Sequence, residues 1–221
     1  MRNFLNAIAR FVFGLDRPSK AANLRRLHSR GEALESIIIR EALPADIPAL
    51  AALHVKTWMQ TYGHVKNPPT YAIREHQWRE QFNVTDGSWF CFVVESPKAE
   101  LVGFAKGKAY NHTDLPEFAG ELSKIYLLRD YQRLGLGRRL VGWVARRFLS
   151  QGITTMALFG TPQNPSCAFH EALGGERLLA KNGEFHGGYG WCDLHQLANS
   201  CPVEGPEAKT LRSSNVPSSE I

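Results

Sequence analysis

Two glycines spaced two apart, Gly135 and Gly137, lie in the run Gln132-Arg133-Leu134-Gly135-Leu136-Gly137, directly ahead of Arg138 and Arg139. A strand that ends in such a turn and runs straight into a helix leaves backbone N–H groups unpaired at the positive end of the helix dipole. Backbone binds phosphate in this way. Glycine lets the chain approach the anion closely. Cations in a first helical turn oppose the dipole unless an anion stands near them, so Arg138 and Arg139 point the same way. The spacing excludes two phosphate loops: GxxxxGK[ST] is not present, and the dinucleotide fingerprint needs a third glycine where Leu140 stands. Read without an anion, the same glycines make a tight turn and the arginines are solvated.

The elements that must position this turn follow from periodicity. The strand "SIIIREA" carries Ile37, Ile38 and Ile39, and Pro44 with Asp46 as N-cap opens a helix over 47–62. "YAIREHQWREQF" makes a second helix. Strands follow at Trp89–Ser96, Glu100–Tyr110 and Glu121–Leu128, the first two joined by "PKAE" as an antiparallel hairpin. After the glycine turn a helix runs over 137–150, with Leu140, Val144 and Phe148 recurring every four residues and Gly152 as its stop. A strand "TTMALFG", a short helix "PSCAFHEAL" with Asn164 as N-cap, and the strands "RLLAK" and "GYGWCDL" complete the series. The order β-α-α-β-β-β-α-β-α-β-β predicts an α/β fold, a mixed sheet with helices on both faces.

The segment "ELSKIYLLRDYQRLGLGRRLVGWVARRF" resembles the acyl-CoA binding signature of the GNAT superfamily of N-acyltransferases, and "NPSCAFHEALGGERL" resembles that family's next block. The element order is similar to that fold from about Ser36 to Leu197, with a mostly antiparallel central sheet. The resemblance implies acetyl-CoA as co-substrate. Gln132 opens the coenzyme-binding turn, and the pyrophosphate would be cradled by backbone N–H groups of Arg133, Leu134, Gly135, Leu136, Gly137 and Arg138. Its pantetheine arm would pair with the backbone at Ile125, Leu127 and Leu128 like an added strand, with Asn164 on the other side. Arg129 stands where the family often has proline.

The implied reaction is transfer of an acetyl group to a primary amine, directly, within a ternary complex. An alkylammonium of pKa ~10 must lose its proton to react. Glu121, at the start of the strand before the turn, is the candidate base, because a glutamate at this position in the family holds a water near the amine. The family's leaving-group acid is a tyrosine in the slot that here holds His170, whose ordinary pKa near ~6.5 suits either proton role; Tyr189 and His186 are alternatives. Trp58 and Tyr62, with Trp78, are candidates for the acceptor pocket, and Asp114, Glu117 and Glu121 could attract a cationic amine. His54, with Leu50 and Trp58, reads as a core-facing stripe. No metal is required.

Composition bounds the rest. A chain of 221 residues with 43% hydrophobic residues can bury one full core. The net charge of +5 is concentrated in residues 1–36, which carry +4, so the body shows no nucleic-acid footprint. The 4 cysteines form no CxxC pair and read as small buried hydrophobes in a reducing, cytoplasmic setting. No apolar run is long enough to span a membrane.

The expected organisation is a basic extension over 1–35, an acetyltransferase domain over 36–200 and a disordered tail over 201–221. Residues 1–17 form an amphipathic helix that could dock on its own domain, a partner or a membrane surface, or serve as a presequence; 17–35 form a linker or a second short helix. The acceptor is left open among small-molecule and peptide amines, as is a homodimer. The rival readings are a non-catalytic acyl-CoA sensing module and a docking device built on the N-terminal helix.

Overall fold

The computed structural model describes residues 18–63 and 67–203. The amphipathic segment 1–17 and the tail beyond 203 lie outside the described residues. Seven strands form one sheet: β1 Ile38–Glu41, β2 Trp89–Glu95, β3 Leu101–Ala109, β4 Gly120–Leu127, β5 Met156–Phe159, β6 Glu176–Leu179 and β7 Phe185–Trp191. The spatial order is β1-β2-β3-β4-β5-β7-β6, and every neighbouring pair is antiparallel except β4 with β5. The expected mixed, mostly antiparallel sheet is therefore the observed one.

Helices α1 Lys20–Ser29, α2 Ile47–Tyr62, α3 Tyr71–Asn83, α4 Leu136–Ser150, α5 Cys167–Glu171 and α6 Leu194–Ser200 surround it. On one face α4 and α6 pack Leu140, Val144, Phe148, Leu194 and Leu197 against Phe90, Phe92, Leu122 and Met156. On the other, Leu50, Leu53 and Trp78 of α2 and α3 cover Cys91, Val93 and Phe104. Asp46 precedes α2, but its carboxylate accepts from the Leu43 N–H and from Arg40 instead of capping a helix N–H. Among the described residues, no helix is long and apolar enough to cross a membrane.

Two features depart from the sequence expectation. Helix α1 is part of the folded body: Leu27 is in the main core and Asn23 is fully buried, so a boundary at residue 36 cuts through packed structure. Of the cysteines, Cys91 and Cys201 are buried, but Cys167 is half-buried and Cys192 exposed. The reason is positional, since Cys192 follows the last strand and Cys167 opens the short helix α5.

Candidate active site

Strands β4 and β5 pair only at Gly120 with Met156 and Glu121 with Ala157, then separate. The gap is a cleft of about 400 Å³ bordered by Leu122 to Leu127 on one side and Leu158 to Gly160 on the other. A ladder leaves alternate residues facing each edge of a strand. The Leu128 N–H donates to Val102 O at 2.9 Å, toward β3, so the backbones of Leu127 and Ile125 face the open edge. Gln132 closes that end: its Nε2 donates to Leu127 O at 2.9 Å.

The glycine turn sits beside this edge. Leu134 and Leu136 bury their side chains in the core, while Arg133, Gly135, Gly137 and Arg138 line the cleft. Among the described residues, the N–H groups from Arg133 to Arg138 donate to no protein acceptor; the ladder of α4 begins with Arg139 N–H to Gly135 O at 3.1 Å. Gly135 has φ 86° and Arg133 φ 63°, left-handed values that turn successive N–H groups to one side. Gly137 answers a different need, close packing: a Cβ there would lie 3.2 Å from the Phe169 ring. The two arginines part company. Arg138 lines the cleft, whereas Arg139 donates to Ile37 O at 3.5 Å, toward β1.

The expected proton-handling residues are placed unequally. Glu121 is not on the cleft wall; its carboxylate is ion-paired to Lys108 at 3.1 Å across the β3–β4 ladder, and among the described residues no carboxylate lines the cleft. His170 does line it, and it is buried rather than on the helix surface, packed against Phe169, Tyr189 and Trp191. Burial pushes its pKa down to about 4, so the imidazole is neutral at neutral pH, and its Nδ1 has no partner among the described residues. Tyr189 is fully buried, with its hydroxyl donating to Glu171 Oε1 at 3.1 Å, and His186 is exposed beside Glu184; neither lines the cleft.

Tyr62 reaches the cleft from the last turn of α2, and its hydroxyl accepts from Asn164 Nδ2 at 2.9 Å. Burial raises its pKa, which keeps the phenol protonated. Asn164 is held twice, since its Oδ1 accepts from the Ser166 N–H at 2.9 Å; α5 itself begins later than expected, at Cys167. Trp58 packs on Tyr62 with ring centroids 5.6 Å apart and stays off the cleft wall. Asp114 and Glu117 are exposed in the turn before β4 and do not reach the cleft.

Comparison with known proteins gives the family. The profile described as "Acetyltransferase (GNAT) family" matches residues 50–174, more than half of the chain. The chain belongs to the GNAT family. An N-acetyltransferase of Bacillus subtilis named as uncharacterized, YuaI, is 32% identical over 172 residues, 73% of this chain and 96% of that protein. The phosphinothricin N-acetyltransferase of Streptomyces viridochromogenes is 37% identical over 109 residues, 48% of this chain and 56% of that protein. A phosphinothricin acetyltransferase from Sinorhizobium meliloti, solved with acetyl-CoA, superposes with a TM-score of 0.53 at 20% identity, over 70% of this chain and 86% of that one. As a GNAT member the protein is an acetyl-CoA-dependent acetyltransferase.

The residues of this GNAT chain that brace the turn were not legible as functional. Asn23 of α1 donates through Nδ2 to Arg129 O and to Gln132 O, both at 2.8 Å, pinning the entry to the glycine turn from outside. Tyr131, fully buried next to the turn, donates to Glu32 at 2.7 Å, and Gln60 of α2 accepts from the Arg129 N–H at 2.9 Å. The partners lie 106 and 69 residues apart for Asn23 and Gln60, so only the fold connects them. A buried polar residue in a polar stretch is the signal Asn23 gave, and it is a weak one.

Proposed function

We propose that the protein transfers the acetyl group of acetyl-CoA directly to a primary amine within a ternary complex, with the glycine turn and the open edge of β4 holding the coenzyme. The observation that carries this reading is the row of N–H groups from Arg133 to Arg138, without an acceptor among the described residues, beside the same cleft as the outward-facing N–H groups of Ile125 and Leu127. The turn takes the pyrophosphate, with Arg138 adding a cation, and the backbone of Ile125 takes the pantetheine amide as a further strand would. Asn164 faces the arm from the β5 side. Bound acetyl-CoA supplies the acetyl group as an activated thioester.

The chain's own groups then manage charge and protons. The Leu127 N–H, facing the open edge, stabilises negative charge developing on the carbonyl oxygen. Proton donation to the leaving sulfur falls to Tyr62, whose hydroxyl accepts from Asn164 and so has its own proton to give. His170 serves as a neutral hydrogen-bond donor and not as an imidazolium acid, because burial holds its pKa at about 4. Glu121 takes the amine proton through intervening water, its carboxylate lying off the cleft wall. No covalent acetyl-enzyme is needed.

The test is initial-rate kinetics with both substrates varied, on the full chain and on Tyr62→Phe. Intersecting double-reciprocal lines support the ternary complex; parallel lines overturn it. Tyr62→Phe lowers kcat by about 10²-fold or more if the phenol is the acid, and an unchanged kcat removes Tyr62 from that role.

A further inference from the structure

A second cavity, of about 610 Å³, lies under α3 on the face of the sheet covered by α2 and α3; it is lined by His54, Arg74, Trp78, Gln81, Lys106 and Lys124 among others. Lys106 and Lys124 are directly paired across β3 and β4, and Arg74 comes down onto them from the first turn of α3. The three cations have little to neutralise them. Among the described residues, no carboxylate forms an ion pair with Arg74, Lys106 or Lys124. Glu80 lines the cavity but is exposed, and Glu121 is spent on Lys108. Among the described residues, the side chains of Arg74 and Lys106 donate only to the neutral side chains of Gln77 and Gln81, and Lys106 also stands 5.7 Å from the Trp89 ring centre.

Buried polar atoms of three lining residues also go unmet. Arg74 Nε, Trp78 Nε1 and His54 Nδ1 are buried with no partner among the described residues, and Trp78 and His54 are only 4% and 2% exposed. Their surroundings are consistent with a site built around a missing negative charge. Burial, and then Lys124, pull Lys106 down to about 8; burial, and then Arg74, lower Lys124; burial lowers Arg74. Burial and the same three cations hold His54 neutral at about 3. An anion entering the cavity removes the mutual repulsion of the three cations and gives their charged side chains an acceptor.

Lys124 lines both this cavity and the coenzyme cleft. Resting on the acetyltransferase reading above, we propose that the cavity is the acceptor's anion subsite, and that the amine substrate carries an oxyanion group held by Arg74, Lys106 and Lys124. A polycationic amine, for which Asp114 and Glu117 could have served, meets repulsion here instead. The field of the three cations also disfavours protonation of an amine placed near Lys124, which is the state the reaction requires.

The test uses the full chain saturated with coenzyme A, so that the glycine turn is filled, titrated calorimetrically at constant ionic strength. The probes are inorganic phosphate, acetate and choline. Phosphate or acetate binds and choline does not; the stronger of the two distinguishes a phosphorus oxyanion from a carboxylate. Arg74→Gln and Lys124→Gln each weaken that binding by about tenfold or more, while Arg79→Gln, on the same helix but paired to Glu75, leaves it unchanged. Should one variant fail to melt cooperatively, the other decides. Coenzyme A that fails to bind overturns the acetyltransferase reading. Coenzyme binding with no anion binding, or with anion binding indifferent to Arg74→Gln and Lys124→Gln, overturns the subsite alone.

Discussion

Replacing Gly135 by valine separates what the glycine does for the fold from what it does for the coenzyme. Its φ of 86° is one a β-branched residue adopts only under strain. The left-handed backbone costs an L-residue about 1–2 kcal/mol, which in a chain of this size lowers the melting temperature by roughly 2–8 °C. Apart from its own neighbours in the chain, no atom of the described residues lies within 4 Å of a Cβ built at this position, so there is no clash to add and the fold survives. The coenzyme pays separately, because Gly135 lines the cleft. Losing one charge-assisted hydrogen bond costs about 1.5–3 kcal/mol, or about ten- to a hundredfold in affinity. Gly152 is the control. It ends α4 with φ 77° and an equally open surround, so Gly152→Val carries the same strain far from the turn. Calorimetric titration with acetyl-CoA, beside thermal melts, should show both variants destabilised alike and only Gly135→Val impaired in binding. Equal affinity in the two would refute the assignment of the turn.

Other consequences are open to simpler measurements. Asn23→Ala removes two buried hydrogen bonds to the backbone before the turn; it should cost about 1–3 kcal/mol of stability and speed amide exchange at residues 133–138, and unchanged exchange there would deny Asn23 its bracing role. Deleting residues 1–35 also removes Leu27 from the core, so coenzyme affinity and melting temperature should both fall; a fully active truncation would contradict the packing of α1. His170 and His54 are depressed to about 4 and about 3 by burial, so the unfolded chain binds more protons than the folded one below the ordinary histidine range of about 6.5. Stability should therefore fall as pH drops from about 6.5 toward 4, and His170→Gln should flatten part of that slope; a slope of opposite sign in denaturant melts would contradict their buried neutral state. For the same reason His170→Gln should leave the shape of the kcat–pH profile between about pH 6.5 and 8 unchanged, whereas a lost limb would make the imidazole a titrating acid.

Local pattern made much of this fold readable. The α2 helix runs over 47–62 as periodicity and Pro44 suggest, and Leu140, Val144 and Phe148 are all fully buried. The glycine turn was readable because its chemistry is backbone chemistry, written in consecutive residues. Helix α1 was one of two alternatives for 17–35, but its packing into the body was not readable, since it buries only Asn23 and Leu27. Helix α6 was missed although Asp193 gave a cap signal, its carboxylate accepting from His195 and Gln196 N–H groups. The rest depends on register. Glu121 meets Lys108 only through the β3–β4 pairing, which slips at a bulge next to Ser123, and the cations at 74, 106 and 124 come together only when α3 lies on that ladder. His170 could be placed on a short helix from sequence, but its burial, which decides its protonation, is a property of Tyr189 and Trp191 packing over it.

Acetyl-CoA labelled in its acetyl group, incubated with the full chain and a panel of primary amines, tests the central claim most directly when thiol release, labelled amide and intact protein mass are followed together. The account predicts label in the amide product in step with thiol release, and an unmodified chain throughout. Label on the protein, or tight coenzyme binding with no thiol release on any amine, would contradict direct acetyl transfer in this cleft.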